Sequence, residues 1–309
     1  MIIHNGCENL NLVLPVATLG IFDGVHIGHK ALLDILVSRA KENIGSSVVI
    51  TFNPHPRMVL ANGKESVSLL TTLDEKAKLL ENTGIDHLII IHFDSAFSNL
   101  GAYDFVGKVL VKQVGTRHII VGYDHHFGKH GEGDYNTIRK CAESLDFKVE
   151  QVPQVNTPEG IVSSSSIRDA LLTGNLGIAN RWLGYDYTMS GRIVEGRQLG
   201  RSLGFPTANI NPADKYKLMP KDGVYAVEVQ IAGELKPGML SIGKNPTVND
   251  STSKRSIEVH IFDFGKNIYD NDIKVIFRYR LRDEMKFENI GQLAEQIKLD
   301  KQLAMRLLT

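Results

Sequence analysis

Two histidines, His26 and His29, lie in the segment GIFDGVHIGH (Gly20 to His29), which follows a predicted strand and begins a predicted helix. A helix N-terminus exposes unpaired N–H groups and the positive end of the helix dipole, and it therefore suits phosphate binding. Histidines at this spacing can face the same way and donate hydrogen bonds to phosphate oxygens, including those of a leaving pyrophosphate. Taken alone, the pair fits helix capping better. A zinc pair is a third interpretation, but neither HExxH nor a cysteine partner accompanies it.

Two further segments contain candidate phosphate or metal ligands. The serine run SSSSIRDAL (Ser163 to Leu171) includes hydroxyls and a guanidinium that can hold a triphosphate. The glycine-rich segment GRIVEGRQLGRSLGFPTANI (191–210) places Thr207 and Asn209 on one side of an extended chain, and such oxygen ligands suit Mg²⁺. By itself, the serine run is typical of a flexible loop, and the second segment fits an ordinary glycine-rich turn equally well.

A candidate carboxylate lies in SIEVHIF (256–262), where aliphatic residues alternate with polar ones. This period of two places Glu258 and His260 together on the face opposite the aliphatic set. Such alternation most often indicates only a solvated face.

The first part of the chain, from Asn11 to about Val155, alternates short apolar runs with helix-length amphipathic stretches. The runs that we interpret as buried strands are LVLPVATLG, SSVVITF, HLIIIHF, RHIIVGYD and FKVEQV. Between the runs, Thr72 and Glu75 have capping-box spacing, and Leu33, Leu36, Val37 and Ala40 form one apolar stripe. This alternation predicts a Rossmann-like α/β domain with a parallel sheet, in which ligands bind beyond the carboxyl ends of the strands.

The pattern changes after about Tyr187. Segments such as YAVEVQI and DIKVIFRYRL alternate with period two between turn signals, which predicts antiparallel strands. Closing them into a small barrel would remove exposed edges, and the stretch from Asn289 reads as a terminal helix. We therefore expect two domains, 1–183 and 184–309.

Composition limits the possible partners. The 309 residues include 35 Lys+Arg and 35 Asp+Glu, so the formal net charge is zero. This balance gives no footprint for an extended polyanion or an acidic membrane, and we expect neither nucleic acid nor membrane as a partner. Cys7 and Cys141 form no CxxC, which indicates a reducing compartment. We expect a cytoplasmic protein without a targeting segment; the oligomeric state stays open.

Together, the HxGH segment and the serine–arginine element resemble the nucleotidylyltransferase superfamily. The loops TFNPHPRMVL (51–60) and VGYDHHFGKHGEGD (121–134) are similar to those of FAD synthetase domains in bacterial bifunctional riboflavin kinase/FMN adenylyltransferases. The resemblance implies catalysis by His26, His29 and Arg168. The substrate contacts that it implies, some with flavin and some with nucleotide, are Gly20, Phe22, Asp23, Gly24, Phe52, Asn53, Pro54, His55, Pro56, Asp124, Ser164 and Ser165.

This first resemblance has departures. Ile21 stands where the family usually has Asn, and His125-His126 stand where an aromatic and a variable residue are usual. The cluster of His125, His126 and His130 is alternatively a metal site, but a solvated loop is the favoured interpretation.

The second part of the chain resembles riboflavin kinases through its PTAN loop and through the strand that carries Glu258 and His260. IGKNPTV (242–248) matches except at Val248, where Phe is common, and Asp270 stands where Gly is common. The resemblance implies that Glu258 is catalytic and that Thr207 and Asn209 hold Mg²⁺. The implied substrate contacts are Gly196, Arg197, Gly200, Gly204, Phe205, Pro206, Asn245 and Arg282.

The order of the two resemblances implies a bifunctional enzyme of flavin cofactor synthesis. Riboflavin and ATP would give FMN in the barrel, and FMN with a second ATP would give FAD and pyrophosphate in the α/β domain. ATP, Mg²⁺ and flavins are then the small molecules that the chain binds. Three alternatives stay open: a different adenylyl- or cytidylyltransferase, a nucleic-acid-binding barrel, and a flavin-binding regulatory protein with weak or lost adenylyltransferase activity.

Overall fold

The computed structural model describes residues 1–60, 67–196, 204–244, 255–265 and 268–309. Contacts divide the chain into two compact units, Met1–Ser164 and Ser165–Thr309. The division by compactness therefore falls earlier than the expected boundary at 183/184. The boundary at 183/184 is a prediction of where one functional domain ends and the other begins, and it stays a prediction.

The first unit contains a six-stranded parallel sheet in the order β1-β4-β3-β2-β5-β6. Its strands are β1 (Ile2–Asn5), β2 (Val16–Leu19), β3 (Ser47–Asn53), β4 (His87–His92), β5 (His118–Gly122) and β6 (Lys148–Val152). The five predicted strands are confirmed. β2 is shorter than its apolar run because Pro15 has no N–H for the ladder and because Leu14 takes a positive φ of 39°. The edge strand β1 lacks a buried apolar run, and the sequence pattern missed it.

Helices cover both faces of this sheet, as predicted. They are α1 (Ile27–Glu42), α2 (Pro56–Leu60), α3 (Leu73–Glu81), α4 (Ser95–Ser98), α5 (Ala102–Asp104) with the π-helix Phe105–Gln113, the 3₁₀ turn Lys129–Gly131, and α6 (Tyr135–Leu145). Leu33, Leu36 and Ala40 of the predicted stripe are buried on α1. The Thr72–Glu75 capping box begins α3 as expected. A short hairpin follows, β7 (Asn156–Thr157) with β8 (Gly160–Ile161).

The order of the strands fixes where a ligand can bind. β2 lies between β3 and β5, so successive connections leave β2 toward opposite edges of the sheet. At such a switch point the loops that follow the two strands separate and leave a crevice at the carboxyl edge. The loop after β2 contains the HxGH segment, and the loop after β5 contains His125 and His126.

The second unit contains a closed antiparallel barrel with strand order β10-β13-β12-β11-β14-β9, which confirms the predicted barrel. Its strands are β9 (Thr188–Val194), β10 (Ala208–Pro212), β11 (Gly223–Ile231), β12 (Glu234–Lys244), β13 (Arg255–Ile261) and β14 (Asp272–Arg282). Helices α7 (Ser164–Thr173) and α8 (Leu176–Leu183) precede the barrel, and the predicted terminal helix α9 (Ile290–Leu308) follows it. Ala304 of α9 packs with Phe262 and Met239 of the barrel. Within the described ranges, no helix has the length and apolar composition needed to cross a membrane.

Candidate active sites

The two HxGH histidines lie together at the start of α1. His26 is the N-cap residue, and its Nδ1 accepts a hydrogen bond from the backbone N–H of His29 at 3.3 Å. The two rings stack with their centroids 3.6 Å apart. Because Nδ1 accepts, the ring proton of neutral His26 is on Nε2. A side chain at Gly28 would begin only 3.1 Å from His26 Nδ1, so glycine keeps room for the stacked ring.

The turn before these histidines is fixed by Asp23. Its buried carboxylate accepts hydrogen bonds from the N–H groups of Leu70 and Thr71 at 3.0 and 2.9 Å and from the Thr71 hydroxyl at 3.1 Å. The backbone N–H of Gly24 in turn donates to Thr71 Oγ1. Phe22 is buried beneath the turn, and its ring meets the ring of His29 edge-on at 5.1 Å. Asp23 thus ties the turn to the segment that leads into α3.

A buried lysine lies close to this turn. Lys76 of α3 is only 6% exposed, and its Nζ donates to Thr51 Oγ1 at 3.4 Å. Burial lowers the pKa of Lys76 to about 8, against the opposing effect of Asp23. The pKa of His29 is well below its usual value because of burial, with smaller contributions from His26 and Lys76. His29 is therefore neutral at pH 7 and able to donate one hydrogen bond.

The serine–arginine element begins α7. Ser164 Oγ donates to the backbone carbonyl of Asp23 at 2.8 Å, and both residues belong to the first unit. Ser165 is exposed in the first turn of the helix, and Arg168 follows one turn later. Ser164 therefore contacts the HxGH turn within the first unit.

The loops after β3 and β5 supply apolar and aromatic groups. Phe52 contacts Phe93 and Phe97 with ring centroids 5.6 and 5.7 Å away, in the segment that continues through a cis Asn53–Pro54 bond to Pro56. His55 Nδ1 accepts from the N–H of Arg57, two residues on.

In the loop after β5, His125 stacks on Phe127, while Asp124, His126 and His130 are exposed. Burial, reinforced by the neighbouring His126, lowers the pKa of His125 to about 4. Within the described ranges, no group of three or more His, Cys, Asp or Glu side chains is arranged to hold a metal ion.

In the barrel, Thr207, Asn209 and Glu258 come together although they belong to distant segments. β10 pairs with β13 in a register that sets Asn209 opposite Glu258. The Thr207 hydroxyl donates to Glu258 Oε2 at 3.1 Å. Gly196 borders Asn209 so closely that any side chain there would overlap the Asn209 amide. A carboxylate, a hydroxyl and an amide therefore share one small polar site.

His260 holds the PTAN segment in place. Its Nδ1 lies 2.8 Å from the carbonyl oxygen of Pro206 and donates to it, since a carbonyl can only accept. Its ring meets Phe205 and Phe262 at 5.6 Å each. His260 is 6% exposed, so the polar side of β13 is not a solvated face. Its pKa is lowered, chiefly by burial, and the neutral ring is an N–H donor to the loop.

Arg282 lies at the end of β14 and pairs with Asp300 of α9. Its Nε and Nη2 donate to the two carboxylate oxygens at 2.7 to 3.0 Å. Arg282, a predicted substrate contact, thus joins the terminal helix to the barrel. Gly204 takes a positive φ of 81° just before Phe205.

Comparison with known proteins assigns both parts of the chain. A family model for FAD synthetase matches residues 12–166, and a model for riboflavin kinase matches residues 183–308. The chain belongs to the bifunctional riboflavin kinase/FMN adenylyltransferase family. Proteins with that name from Listeria monocytogenes and Bacillus subtilis are 39% and 36% identical to it. The alignments cover 93% and 94% of this chain and 90% and 92% of the relatives.

A solved structure has the same fold over its whole length. The crystal structure named as a macrolide-efflux protein from Streptococcus pneumoniae superposes with a TM-score of 0.87 at 31% identity. The match covers 98% of both chains. That name describes the Streptococcus protein, and the riboflavin kinase/FMN adenylyltransferase family accounts for both halves of this chain.

The backbone conformation shows how one departure from the family pattern, Asp270, is accommodated. Asp270 takes a positive φ of 64°, the left-handed region in which glycine is most easily accommodated and Asp is tolerated. The change from the family's usual glycine thus keeps the turn. Arg197, Gly200, Asn245 and Val248 lie outside the described residues.

Sequence reasoning missed one buried residue near the histidine turn, Lys76, and it did not foresee the burial of His260. Lys76 is four residues before the buried Leu80 and lies on the apolar face of α3. A charged residue at a position where the helical pattern predicts an apolar one is the signal by which the sequence could have revealed it. His260 was matched by its motif only, and the burial that makes it an anchor for Pro206 comes from the barrel.

Proposed function

We propose that the barrel converts riboflavin and ATP to FMN and that the parallel-sheet unit converts FMN and a second ATP to FAD. The observation that carries the first half is the meeting of Thr207, Asn209 and Glu258 where the start of β10 pairs with the middle of β13. The stacked His26–His29 pair at a helix N-terminus carries the second half. Both family models support this order of reactions.

Glu258 is the general base of the kinase reaction. Its carboxylate takes the proton of the ribityl 5′-hydroxyl while that oxygen forms a bond to the γ-phosphorus of ATP. The bond from the γ-phosphorus to the β–γ bridging oxygen breaks, and ADP leaves. Positioning and charge neutralisation contribute most to phosphoryl transfer, and a general base adds about 10²–10⁴-fold.

Thr207 and Asn209 have the donor chemistry that Mg²⁺ requires. The Thr207 hydroxyl gives its hydrogen to Glu258, so its oxygen lone pairs remain for a cation, and Asn209 offers an amide oxygen beside it. These two residues would hold a Mg²⁺ that would supply neutralisation of phosphate charge. His260 contributes by holding the Pro206 carbonyl and thereby the backbone that presents Thr207.

In the parallel-sheet unit, a phosphate oxygen of FMN bonds to the α-phosphorus of ATP as the bond to the α–β bridging oxygen breaks. Pyrophosphate leaves, and no strong base is needed because the attacking phosphate is already ionised. His26 and His29 donate hydrogen bonds to the leaving pyrophosphate, with Arg168, Ser164 and Ser165 as further phosphate ligands. Gly20 and Gly24 have no side chains, so they permit the phosphates to approach the backbone closely.

Phe52, Asn53, Pro54, His55, Pro56 and Asp124 line the flavin side of this adenylyl-transfer site. A ring system as broad as isoalloxazine needs apolar and aromatic walls. The aromatic setting of Phe52 next to Phe93 and Phe97 supports this assignment.

The remaining substrate contacts of the kinase site are Arg282, Phe205 and the glycine-rich segment that includes Gly196 and Gly204. We assign adenylyl transfer to residues 1–183 and riboflavin phosphorylation to 184–309. The partners are small molecules, not nucleic acid or membrane, and the compartment is the cytoplasm, where Cys7 and Cys141 stay reduced.

Separating flavins after incubation with riboflavin, ATP and Mg²⁺ tests the whole proposal. FMN followed by FAD is expected; FMN alone would indicate a kinase that has lost adenylyl transfer, and neither product would leave a flavin-binding protein. His26→Ala is expected to abolish FAD formation while FMN formation continues, and Glu258→Ala is expected to do the reverse when FMN is supplied. Equal loss of both activities in either variant contradicts the assignment of two separate sites.

A further inference from the structure

Lys76 is a buried positive charge that the adenylyl-transfer scheme does not use. It is 6% exposed, and its Nζ makes a hydrogen bond of 3.4 Å with the neutral Thr51 hydroxyl. The described part of the chain gives Lys76 no ion pair. Asp23 is near enough to oppose the effect of burial but forms no ion pair with Lys76. A buried ammonium that is compensated only in part is costly, so the position is expected to serve a purpose other than stability.

Hydrogen bonds connect this ammonium to the turn that precedes His26. Thr51, which accepts from Lys76, donates its own hydroxyl hydrogen to the carbonyl oxygen of Ile21 at 3.2 Å. Asp23, in the same turn, is anchored to the N–H groups of Leu70 and Thr71 just before the helix that carries Lys76. Two links therefore join the Lys76 segment to the HxGH turn.

The histidine pair also has an unused polar group near this charge. His29 Nδ1 is buried and lacks a hydrogen-bond partner among the described residues. The charge of Lys76 is close enough to lower the pKa of His29. A buried cation and an unpaired ring nitrogen at one helix N-terminus form a site whose missing component is an anion.

We propose that Lys76 is a positioning residue for adenylyl transfer, which supplies buried positive charge to the triphosphate at the His26–His29 pair and holds the Ile21 turn through Thr51. The proposal rests on the proposed FMN adenylyltransferase function. Lys76 acts without touching the substrate, because a chain of two hydrogen bonds and the electrostatic field carry its effect. The titratable groups that face it are the Asp23 carboxylate and the neutral His29, with His26 stacked behind His29.

The charge of Lys76 gives the proposal a pH signature. With its pKa lowered to about 8, Lys76 is an ammonium at neutral pH and loses its proton as the pH rises through about 8. FAD formation is expected to fall over that range. Arginine stays charged there, so Lys76→Arg is expected to keep more activity than Lys76→Met and to lack the fall near pH 8.

The experiment measures FMN formation and FAD formation separately in the full-length chain, with Lys76→Met, Lys76→Arg and the control Lys78→Met, which removes an exposed lysine from the same helix. Lys76→Met is expected to lower kcat/KM for FAD formation about 10- to 100-fold, a loss typical of a residue that supports a site without touching the ligand. FMN formation should stay within twofold and confirms folding. Lys78→Met should match the wild type in both.

Several results would overturn the proposal. They are a Lys76→Met variant within threefold of wild type in FAD formation, an alkaline fall that persists unchanged in Lys76→Arg, or a parallel loss of both activities. A wild-type chain that makes FMN but no FAD would instead refute the proposed adenylyltransferase function. The two failures are therefore distinguishable in one set of assays.

Discussion

The Arg282–Asp300 pair predicts a large and selective loss of stability. Asp300 is 4% exposed and accepts three hydrogen bonds from the Arg282 guanidinium, whose side chain is 18% exposed. Asp300→Ala leaves that guanidinium buried without its anion. Breaking a buried pair in this way costs about 3–5 kcal/mol of unfolding free energy. Because the Arg282 side chain keeps some contact with water, we expect a loss at the lower end of this range, about 3 kcal/mol.

Replacing both partners should behave differently. In Arg282→Met/Asp300→Leu no charge is left unpaired, so the free energy of unfolding is expected to return to within about 1 kcal/mol of wild type. Riboflavin phosphorylation should not return with it, because Arg282 is assigned to the substrate site. Glu234→Ala is the matched control: it breaks an exposed barrel pair with Lys236 and should cost at most about 0.5 kcal/mol.

The assay is urea unfolding of the full chain, followed by the fluorescence of Trp182. This residue is the only tryptophan in the sequence and is 8% exposed in the second unit, so it reports on that unit. The midpoint should shift while the slope stays constant. The reasoning is refuted if Asp300→Ala unfolds within 1 kcal/mol of wild type (about a third of the expected loss), or if the double variant is as unstable as the single one.

Three further predictions concern the two sites. Gly196→Ala should displace the Asn209 amide and lower the kcat of FMN formation about tenfold, with FAD formation from FMN as the unchanged control. Phe52→Ala should raise KM for FMN about tenfold by removing one aromatic wall, and an unchanged KM would count against the flavin pocket. Lys76 binds its proton less tightly when folded, so stability should rise by about 3 kcal/mol between pH 8 and 10.5; urea unfolding followed by circular dichroism should find this rise missing in Lys76→Met.

Local patterns were sufficient for most of the fold. The apolar runs before Gly20, around Val49 and at Ile120 predicted strands because burial on both faces needs continuous β-branched or aliphatic residues. The Thr72–Glu75 box predicted the start of α3 from neighbouring side chains alone. β1 was missed because an edge strand with exposed Ile2 and Ile3 leaves no buried pattern to detect.

The histidine site was predictable to a similar extent. His26 and His29 are three residues apart at a helix start, so helix geometry brings them to one face without help from the rest of the fold. Lys76 was not predictable in this way. Its contact with Thr51 joins a helix to a strand that is 25 positions earlier in the sequence.

Short-range periodicity and motifs are enough to give the order of the two domains, their families and the residue types available for phosphate and metal chemistry. Which of these groups meet depends on the three-dimensional fold. Thr207 and Glu258 are 51 positions apart, and the register of β10 on β13 brings them within one hydrogen bond. Packing within each unit also buries one of these groups, His260 in the barrel and Lys76 beside the parallel sheet, and burial lowers the pKa of both. Such long-range contacts arise when the chain closes on itself, and no local window of sequence contains them.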